Sequence, residues 1–137
     1  MPSYKISEIE GIGPAYAVKL KQAGIKTVNS LLKKGSTKKG RKNIEEATGL
    51  DASMILKWVN MADLFRIKGV AGEYAELLEA AGVDTVKELR NRNADNLHAK
   101  MAEVNSEGRK LVRLLPALKN VKAWVEEAKQ LKPMVTY

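Results

Sequence analysis

Apolar residues recur along this chain every three or four positions, the spacing that places side chains on one face of an α-helix. Ala17, Leu20 and Ala23 form the first such group. No stretch alternates apolar and polar residues for long enough to require a β-strand. The pattern therefore predicts an all-α protein of about eight to ten short helices. The clearest of these are expected at about 14–23, 27–35, 38–48, 52–64, 95–104 and from 116 to a stop at Lys132-Pro133.

A glycine-rich turn separates the first apolar segment from the first amphipathic helix. Its residues are Gly11-Ile12-Gly13-Pro14. The glycines permit positive φ and close approach of another group, while Ile12 is placed to plug the core. Pro14 suits the first position of a helix, where its missing N–H is not needed. Gly24 is expected at the C′ position of the same helix.

This turn and the helices after it occur twice. Residues 67–89 repeat residues 9–31 at a constant offset of 58. Such self-similarity indicates an internal duplication. We therefore predict two units, 1–64 and 65–137, packed together as one compact domain. The shared positions are Ile9/Ile67, Gly11/Gly69, Tyr16/Tyr74, Ala17/Ala75, Leu20/Leu78, Gly24/Gly82, Thr27/Thr85, Val28/Val86 and Leu31/Leu89.

The second copy is longer toward its end. Trp58 corresponds to Trp124 at an offset of 66, so eight residues have entered the second copy. We place the insertion between residues 90 and 116, a region in which Asn105-Ser106 is predicted to turn the chain and Pro116 to begin the last helix. Residues 134–137 are predicted to form a short extended tail. The two tryptophans are expected to anchor the core or the interface between the repeats.

Composition excludes several classes of site. The 137 residues include no cysteine, so disulfides, thiolate nucleophiles and cysteine-based zinc sites are impossible. The sequence has one histidine and neither a P-loop nor a Gly-x-Ser-x-Gly motif. We therefore predict a protein that is not an enzyme and that uses no cofactor or metal. Because no apolar run approaches a membrane span and no signal-peptide core is present, we expect a soluble, cytoplasmic protein.

Positive charge is concentrated in the first half of the chain. The net charge is +8, of which residues 1–66 carry +6 and residues 67–137 carry +2. Residues 33–42 contain six basic residues and no acidic one, and Lys38, Lys39, Arg41 and Lys42 lie at the start of a predicted helix. This basicity favours a polyanionic partner, nucleic acid before membrane. The alternative is that the segment is only a solvated linker.

The first turn has the chemistry of an anion site. The amides of Gly11, Ile12, Gly13 and Ala15 and the N-terminus of the following helix would present N–H groups to a phosphate. The glycines would let a sugar-phosphate backbone approach closely, and Lys19 and Lys21 would add positive charge. The alternative is a tight turn between helices that needs glycine for its geometry alone. Tyr16 and Tyr74 are expected either to cover the turns or to stack on a ligand.

The spacing of Gly11, Gly13, Ala17, Leu20 and Gly24 resembles the helix-hairpin-helix motif of DNA ligases, Holliday-junction proteins, DNA repair nucleases and competence DNA receptors. The resemblance implies a tandem, SAM-like helical bundle. It also implies that amides of the hairpin bind DNA phosphates without reading sequence. Over nearly its whole length, including 96–100 and 135–137, the chain is similar to a small bacterial family of unknown function with a helix-hairpin-helix domain.

The second turn, Gly69-Val70-Ala71-Gly72, corresponds to Gly11-Ile12-Gly13-Pro14. It departs from the pattern at Ala71 and Gly72, and so does Glu73, the residue that follows. A carboxylate in the first turn of a helix satisfies the helix dipole and repels phosphate. We therefore expect the second turn to be a weak contact or purely structural. Its weaker candidate contacts are Lys68, Gly69, Val70 and Gly72.

Together these observations predict a non-enzymatic protein that binds nucleic acid, double-stranded DNA first, without sequence specificity. RNA remains an alternative because backbone amides distinguish the two polymers weakly. A second alternative is a protein-interaction or scaffold module that keeps the fold without binding DNA. The acidic second turn and the lower charge of residues 67–137 favour that second alternative.

Overall fold

A computed structural model describes residues 4–107 and 110–137, and within them every regular element is helical. The all-α prediction is confirmed, with eight α-helices and one 3-10 turn at Ile6–Glu8 in the described part of the chain. No helix within these two ranges is long and apolar enough to cross a membrane. The helices are α1 (Pro14–Gln22), α2 (Val28–Gly35), α3 (Lys38–Thr48), α4 (Ala52–Leu64), α5 (Glu73–Ala80), α6 (Val86–Leu89), α7 (Ala94–Glu107) and α8 (Leu118–Gln130).

The chain forms two compact units. The first consists of the residues up to Asp63 together with Met134–Tyr137, and the second is Leu64–Pro133. Each unit has its own apolar core, because the helical stripes that the sequence shows are buried in both. In the first unit Leu20 and Leu31 are fully buried, and in the second their counterparts Leu78 and Leu89 are fully buried as well.

Helix α1 ends in a Schellman motif that the second unit repeats at α5. Gly24 has φ +84°, its N–H donates to the Lys21 carbonyl at 2.9 Å, and the Ile25 N–H donates to Leu20 at 2.9 Å. In the second unit Gly82 has φ +95°, and the equivalent bonds run from Gly82 to Glu79 and from Val83 to Leu78, both at 2.9 Å. The predicted C′ role of Gly24 is confirmed. The duplication extends to hydrogen bonds that satisfy the last carbonyls of each helix.

A cation also contacts this glycine carbonyl in both units. Lys34 Nζ lies 3.4 Å from the Gly24 oxygen, and Arg92 Nη2 lies 2.9 Å from the Gly82 oxygen. Positions 34 and 92 are again 58 residues apart. A basic side chain at the C-terminal end of a helix interacts favourably with the helix dipole. Lys34 and Arg92 are therefore one more pair of equivalent residues in the two copies.

Two predicted boundaries in the second unit are wrong. Asn105-Ser106 does not turn the chain, because α7 continues to Glu107. Asn105 is buried, and its Oδ1 accepts from the N–H groups of Leu111 (2.8 Å) and Val112 (3.1 Å). The last helix begins at Leu118 rather than Pro116, since Ala117 is extended with φ −67° and ψ 153°.

The C-terminal residues return to the first unit. Val135 is buried, and the Thr136 N–H donates to the Ser36 carbonyl at 2.8 Å. The Tyr137 hydroxyl lies 3.2 Å from Asn60 Oδ1. These residues form no helix, as predicted, and hydrogen bonds to Ser36 and to Asn60 of α4 hold them in the first unit.

Candidate nucleic-acid interface

The first turn takes its shape from Gly11 and Ile12. Gly11 has φ +95°, which favours glycine, and Ile12 is buried in the first unit. The Ile12 N–H donates to the Ile9 carbonyl at 3.1 Å. This amide is therefore used inside the turn, and we leave Ile12 out of the candidate phosphate donors.

Gly13 is not required by the fold. Its backbone is extended, with φ −80° and ψ −180°, and a Cβ placed on it would meet no atom within 4 Å. The space above Gly13 is open, so a ligand can approach the backbone there. Gly13 is also the N-cap of α1, but it has no side chain to cap the helix.

Four amides of the first turn have no acceptor in the described part of the protein. They belong to Gly11, Gly13, Ala15 and Tyr16, and the first amide of α1 with a backbone acceptor is that of Ala17, which donates to Gly13 at 2.9 Å. Ala15 and Tyr16 occupy the second and third positions of α1, where N–H groups need an external partner. Pro14 at the first position lacks an N–H.

A tryptophan side chain adds a fifth donor to this turn. Trp58 is 3% exposed, and its Nε1 would lie 3.6 Å from a Cβ on Gly11. No described residue accepts a hydrogen bond from this N–H, and every fully buried side-chain nitrogen or oxygen in the described ranges has a partner. The unpaired N–H is therefore where the indole reaches the surface. The Tyr16 ring packs on Trp58 with centroids 5.3 Å apart.

The second turn has the same frame. Gly69 has φ +88°, the buried Val70 donates to Ile67 at 3.0 Å, and Trp124 Nε1 would lie 3.4 Å from a Cβ on Gly69. Tyr74 packs on Trp124 with centroids 5.8 Å apart. The two turns therefore share their glycine conformation, their internal hydrogen bond and their tyrosine–tryptophan contact.

The second turn differs in which donors are used. The Tyr74 N–H donates to the Ala71 carbonyl at 3.2 Å, whereas the equivalent N–H of Tyr16 has no acceptor in the described residues. The Lys68 N–H donates to the carboxylate of Glu127 at 3.1 Å. Gly72 has φ +52°, a conformation that favours glycine and that Gly13 does not share. The second turn is thus partly satisfied by its own unit.

Most of the candidate basic residues are on the surface. Lys19 lies one helical turn after Ala15 and therefore on the same side of α1, while Lys21 lies on another side. The remaining exposed members of the set are Lys38, Lys39 and Lys42, all on the first turns of α3.

Arg41 is different, because it is only 8% exposed. Its guanidinium donates to the Gly35 carbonyl at 2.8 Å and to the Thr136 carbonyl at 2.6 Å, and it lies 5.8 Å from the centre of the Tyr137 ring. Burial lowers the pKa of Arg41 from its ordinary value, while Tyr137 acts in the opposite direction. Arg41 holds the C-terminal residues against α2, so we leave it out of the candidate contacts.

The basic residues of α3 and the first turn lie on different sides of α4. Leu56 lines a cleft of about 570 Å³ together with Lys38 and Lys42. Trp58, two residues further along α4, faces Gly11. Positions two residues apart on a helix point roughly 200° away from each other. The same phosphate therefore cannot contact both groups.

Two residues beside the turns belong to no recognisable sequence motif. The Trp58 N–H is identified only by its position beside Gly11. Glu127 stands, by the offset of 66, where the first unit has the buried Met61. The thioether of Met61 and the carboxylate of Glu127 therefore occupy equivalent positions, counted from the tryptophan of each copy.

Comparisons with known proteins give a family and nothing finer. Neither the curated proteins nor the solved structures yielded a match to this chain. The model of one family, described as a domain of unknown function (DUF4332), matches residues 10–131. The match covers both glycine turns and most of the sequence. The chain therefore belongs to the DUF4332 family.

Proposed function

We propose that the first turn binds phosphate groups of a nucleic-acid backbone, double-stranded DNA first, without sequence specificity and without catalysis. The observation that carries the proposal is the difference between the two turns. Within the described residues, the Tyr16 N–H of the first turn has no acceptor, whereas the equivalent N–H of Tyr74 donates to Ala71 and the second turn has the Glu127 carboxylate at the Lys68 N–H.

The open donors suit an anion. Backbone N–H groups at a helix N-terminus form charge-assisted hydrogen bonds with phosphate oxygens, and the helix dipole favours negative charge there. Gly13 leaves the approach unobstructed, and Lys19 adds positive charge on the same side of α1 as Ala15. In this proposal the two turns are helix-hairpin-helix units. Phosphate contacts of this kind carry no base information, which is why we propose binding without sequence preference.

The proposed affinity is modest and depends on salt. If roughly three to five phosphates are contacted, the slope of log K against log salt should be about −3 to −4.5 on duplex DNA. The dissociation constant at physiological salt should fall in the non-specific range of about 10⁻⁴–10⁻⁶ M. Fluorescence anisotropy with labelled duplex, single-stranded and junction DNA and with an RNA duplex measures both quantities. A flat salt response on every probe would refute the proposal.

A substitution at Gly13 tests the turn without threatening the fold. In Gly13→Asn the side-chain oxygen can cap the N–H of Ala15 or Tyr16, which strengthens the start of α1 and removes a phosphate donor. The net charge does not change. We expect the DNA affinity to fall about tenfold, the effect of losing one hydrogen bond to a charged group. Gly13→Asp should lower it further, because the added carboxylate repels phosphate.

Gly49→Asn is the matched control. Gly49 has φ +72°, which asparagine tolerates, and a Cβ there also meets no atom within 4 Å. This variant makes the same chemical change at another exposed glycine of the first unit. Its DNA affinity should equal that of the unmodified protein. If the two asparagine variants bind DNA equally well, the first turn is not the contact.

The two tryptophans provide a direct readout. The sequence contains only Trp58 and Trp124, so a ¹H–¹⁵N spectrum has two indole signals, one for each turn. Titration with duplex DNA should shift the Trp58 indole and leave the Trp124 indole in place. Shifts confined to Trp124 would contradict the proposal. Absence of binding to every nucleic acid would favour the alternative of a protein-interaction module, for which the occupied second turn is the supporting observation.

A further inference from the structure

Glu127 contacts the second turn from a position where the first unit has Met61. It lies on α8, one helical turn after Trp124, and its carboxylate accepts the Lys68 N–H at 3.1 Å. Glu127, Trp124, Lys68 and Gly69 line one cleft of about 360 Å³. A negatively charged oxygen therefore already occupies a position beside the second turn.

The same cleft contains donors that resemble those of the first turn. Trp124 is 5% exposed, and its indole N–H has no acceptor among residues 4–107 and 110–137. It points toward Gly69, whose own N–H also has no acceptor there. A nearly buried tryptophan with an unpaired N–H beside a carboxylate indicates a site built for an anion.

We propose that the second turn is a latent phosphate site that Glu127 closes as an internal ligand. This inference rests on the proposed function of the first turn, because it assigns the same chemistry to the second. The Glu127 carboxylate takes the Lys68 N–H and repels an approaching phosphate from within the cleft. In the first unit the equivalent residue is the buried Met61, so this position supplies no carboxylate to the first turn.

Removing the Glu127 side chain should open the site. In Glu127→Ala the Lys68 N–H is released and joins the Gly69 and Trp124 N–H groups, which have no acceptor in the described residues. Alanine preserves the helix because it has the highest helix propensity. Lys68 lines the cleft and carries a positive charge, and Glu73, the residue before the lining residue Tyr74, carries a negative one. We expect duplex DNA to bind at least about threefold more tightly, with a salt slope steeper by about 0.9 for one additional phosphate.

Two further variants separate opening of the site from loss of charge. Glu126→Ala removes a carboxylate from the adjacent position, where Glu126 pairs with Lys129 at 3.0 Å on the exposed side of α8. It should leave the salt slope unchanged. Glu127→Gln removes the charge but keeps a side-chain oxygen that can accept the Lys68 N–H, so the cleft should remain largely closed.

Each variant of the 137-residue chain is titrated with the same short DNA duplex. Binding is monitored by fluorescence anisotropy and by the two indole NMR signals. The inference requires the Trp124 indole and the Lys68 amide to shift in Glu127→Ala and to stay in place in the unmodified protein. Equal gains in Glu127→Ala, Glu127→Gln and Glu126→Ala, without a Trp124 shift, would overturn it.

Different results would reject the phosphate site of the first turn and the latent site of the second turn. A shift at Trp58 with no shift at Trp124 in Glu127→Ala would reject the latent site and retain the first. A shift at Trp124 in Glu127→Ala with none at Trp58 in any variant would reject the function proposed for the first turn while retaining the second site.

Discussion

Arg41 provides a prediction whose magnitude follows from the structure. Arg41→Met keeps the length of the side chain and removes both hydrogen bonds and the charge. Gly35 is buried, so water cannot readily donate to its carbonyl once the guanidinium is removed. Leaving this acceptor unpaired costs about 1–3 kcal/mol. Removing the cation from the exposed Tyr137 ring adds about 0.5–1 kcal/mol. Thr136 is exposed, and its carbonyl can turn to solvent.

We therefore expect Arg41→Met to lower the free energy of unfolding of the first unit by about 2–4 kcal/mol. With an m-value of about 2 kcal/mol per M urea, the middle of the usual range, the unfolding midpoint should move down by about 1–2 M. The loss of native NMR signals with urea checks this for each unit separately, because Trp58 belongs to the first unit and Trp124 to the second. The transition reported by Trp58 should move more than that reported by Trp124.

Lys42→Met is the control for this prediction. Lys42 follows Arg41 directly, is exposed, and loses the same charge in this variant. Its effect should remain within about 0.5 kcal/mol, as for other surface substitutions. Equal unfolding midpoints for the two methionine variants would refute the structural role of Arg41. If Arg41→Met, measured without urea, also lost more DNA affinity than Lys42→Met, Arg41 would be assigned to DNA binding instead.

Two more predictions follow from the first unit. Gly35→Ala should destabilise it by about 1–3 kcal/mol, because a Cβ there collides with Val59; urea unfolding measures this, and a stable variant would contradict the packing of α2. Changing Lys38, Lys39 and Lys42 together to glutamate, with Arg41 retained, should weaken DNA binding and reduce the salt slope by about 0.9 for each phosphate that the protein no longer neutralises. If anisotropy shows unchanged binding, the lysines of α3 form only a solvated surface.

Local features of the fold could be predicted from the sequence. Pro14 at the start of α1, Gly24 at its C′ position and the cap at Thr27 each depend on contacts within a few residues. The Thr27 hydroxyl accepts the Ser30 N–H at 3.0 Å. Because these contacts are short in sequence, composition and spacing are enough to indicate them.

Features made by distant residues could not be predicted in this way. Arg41 resembles one more cation in a basic segment, and only the carbonyl of Thr136, 95 residues later, shows that it is structural. Glu127 resembles half of a solvated pair until its bond to Lys68, 59 residues away, is known. Asn105 resembles a turn residue, and its hydrogen bonds to 111 and 112 depend on how the chain folds back beyond α7.

The return of Met134–Tyr137 to the first unit makes the second unit an insertion within the first. The inserted Leu64–Pro133 stretch is about 70 residues long. While that stretch is unfolded, bringing its two ends together costs roughly 4 kcal/mol of loop-closure entropy, a cost that its folding removes by fixing the distance between them. Docking of Val135 and Thr136 should therefore be stronger after Leu64–Pro133 has folded. The two stabilities are coupled through chain connectivity, so a substitution in the second core can loosen the last four residues without touching them.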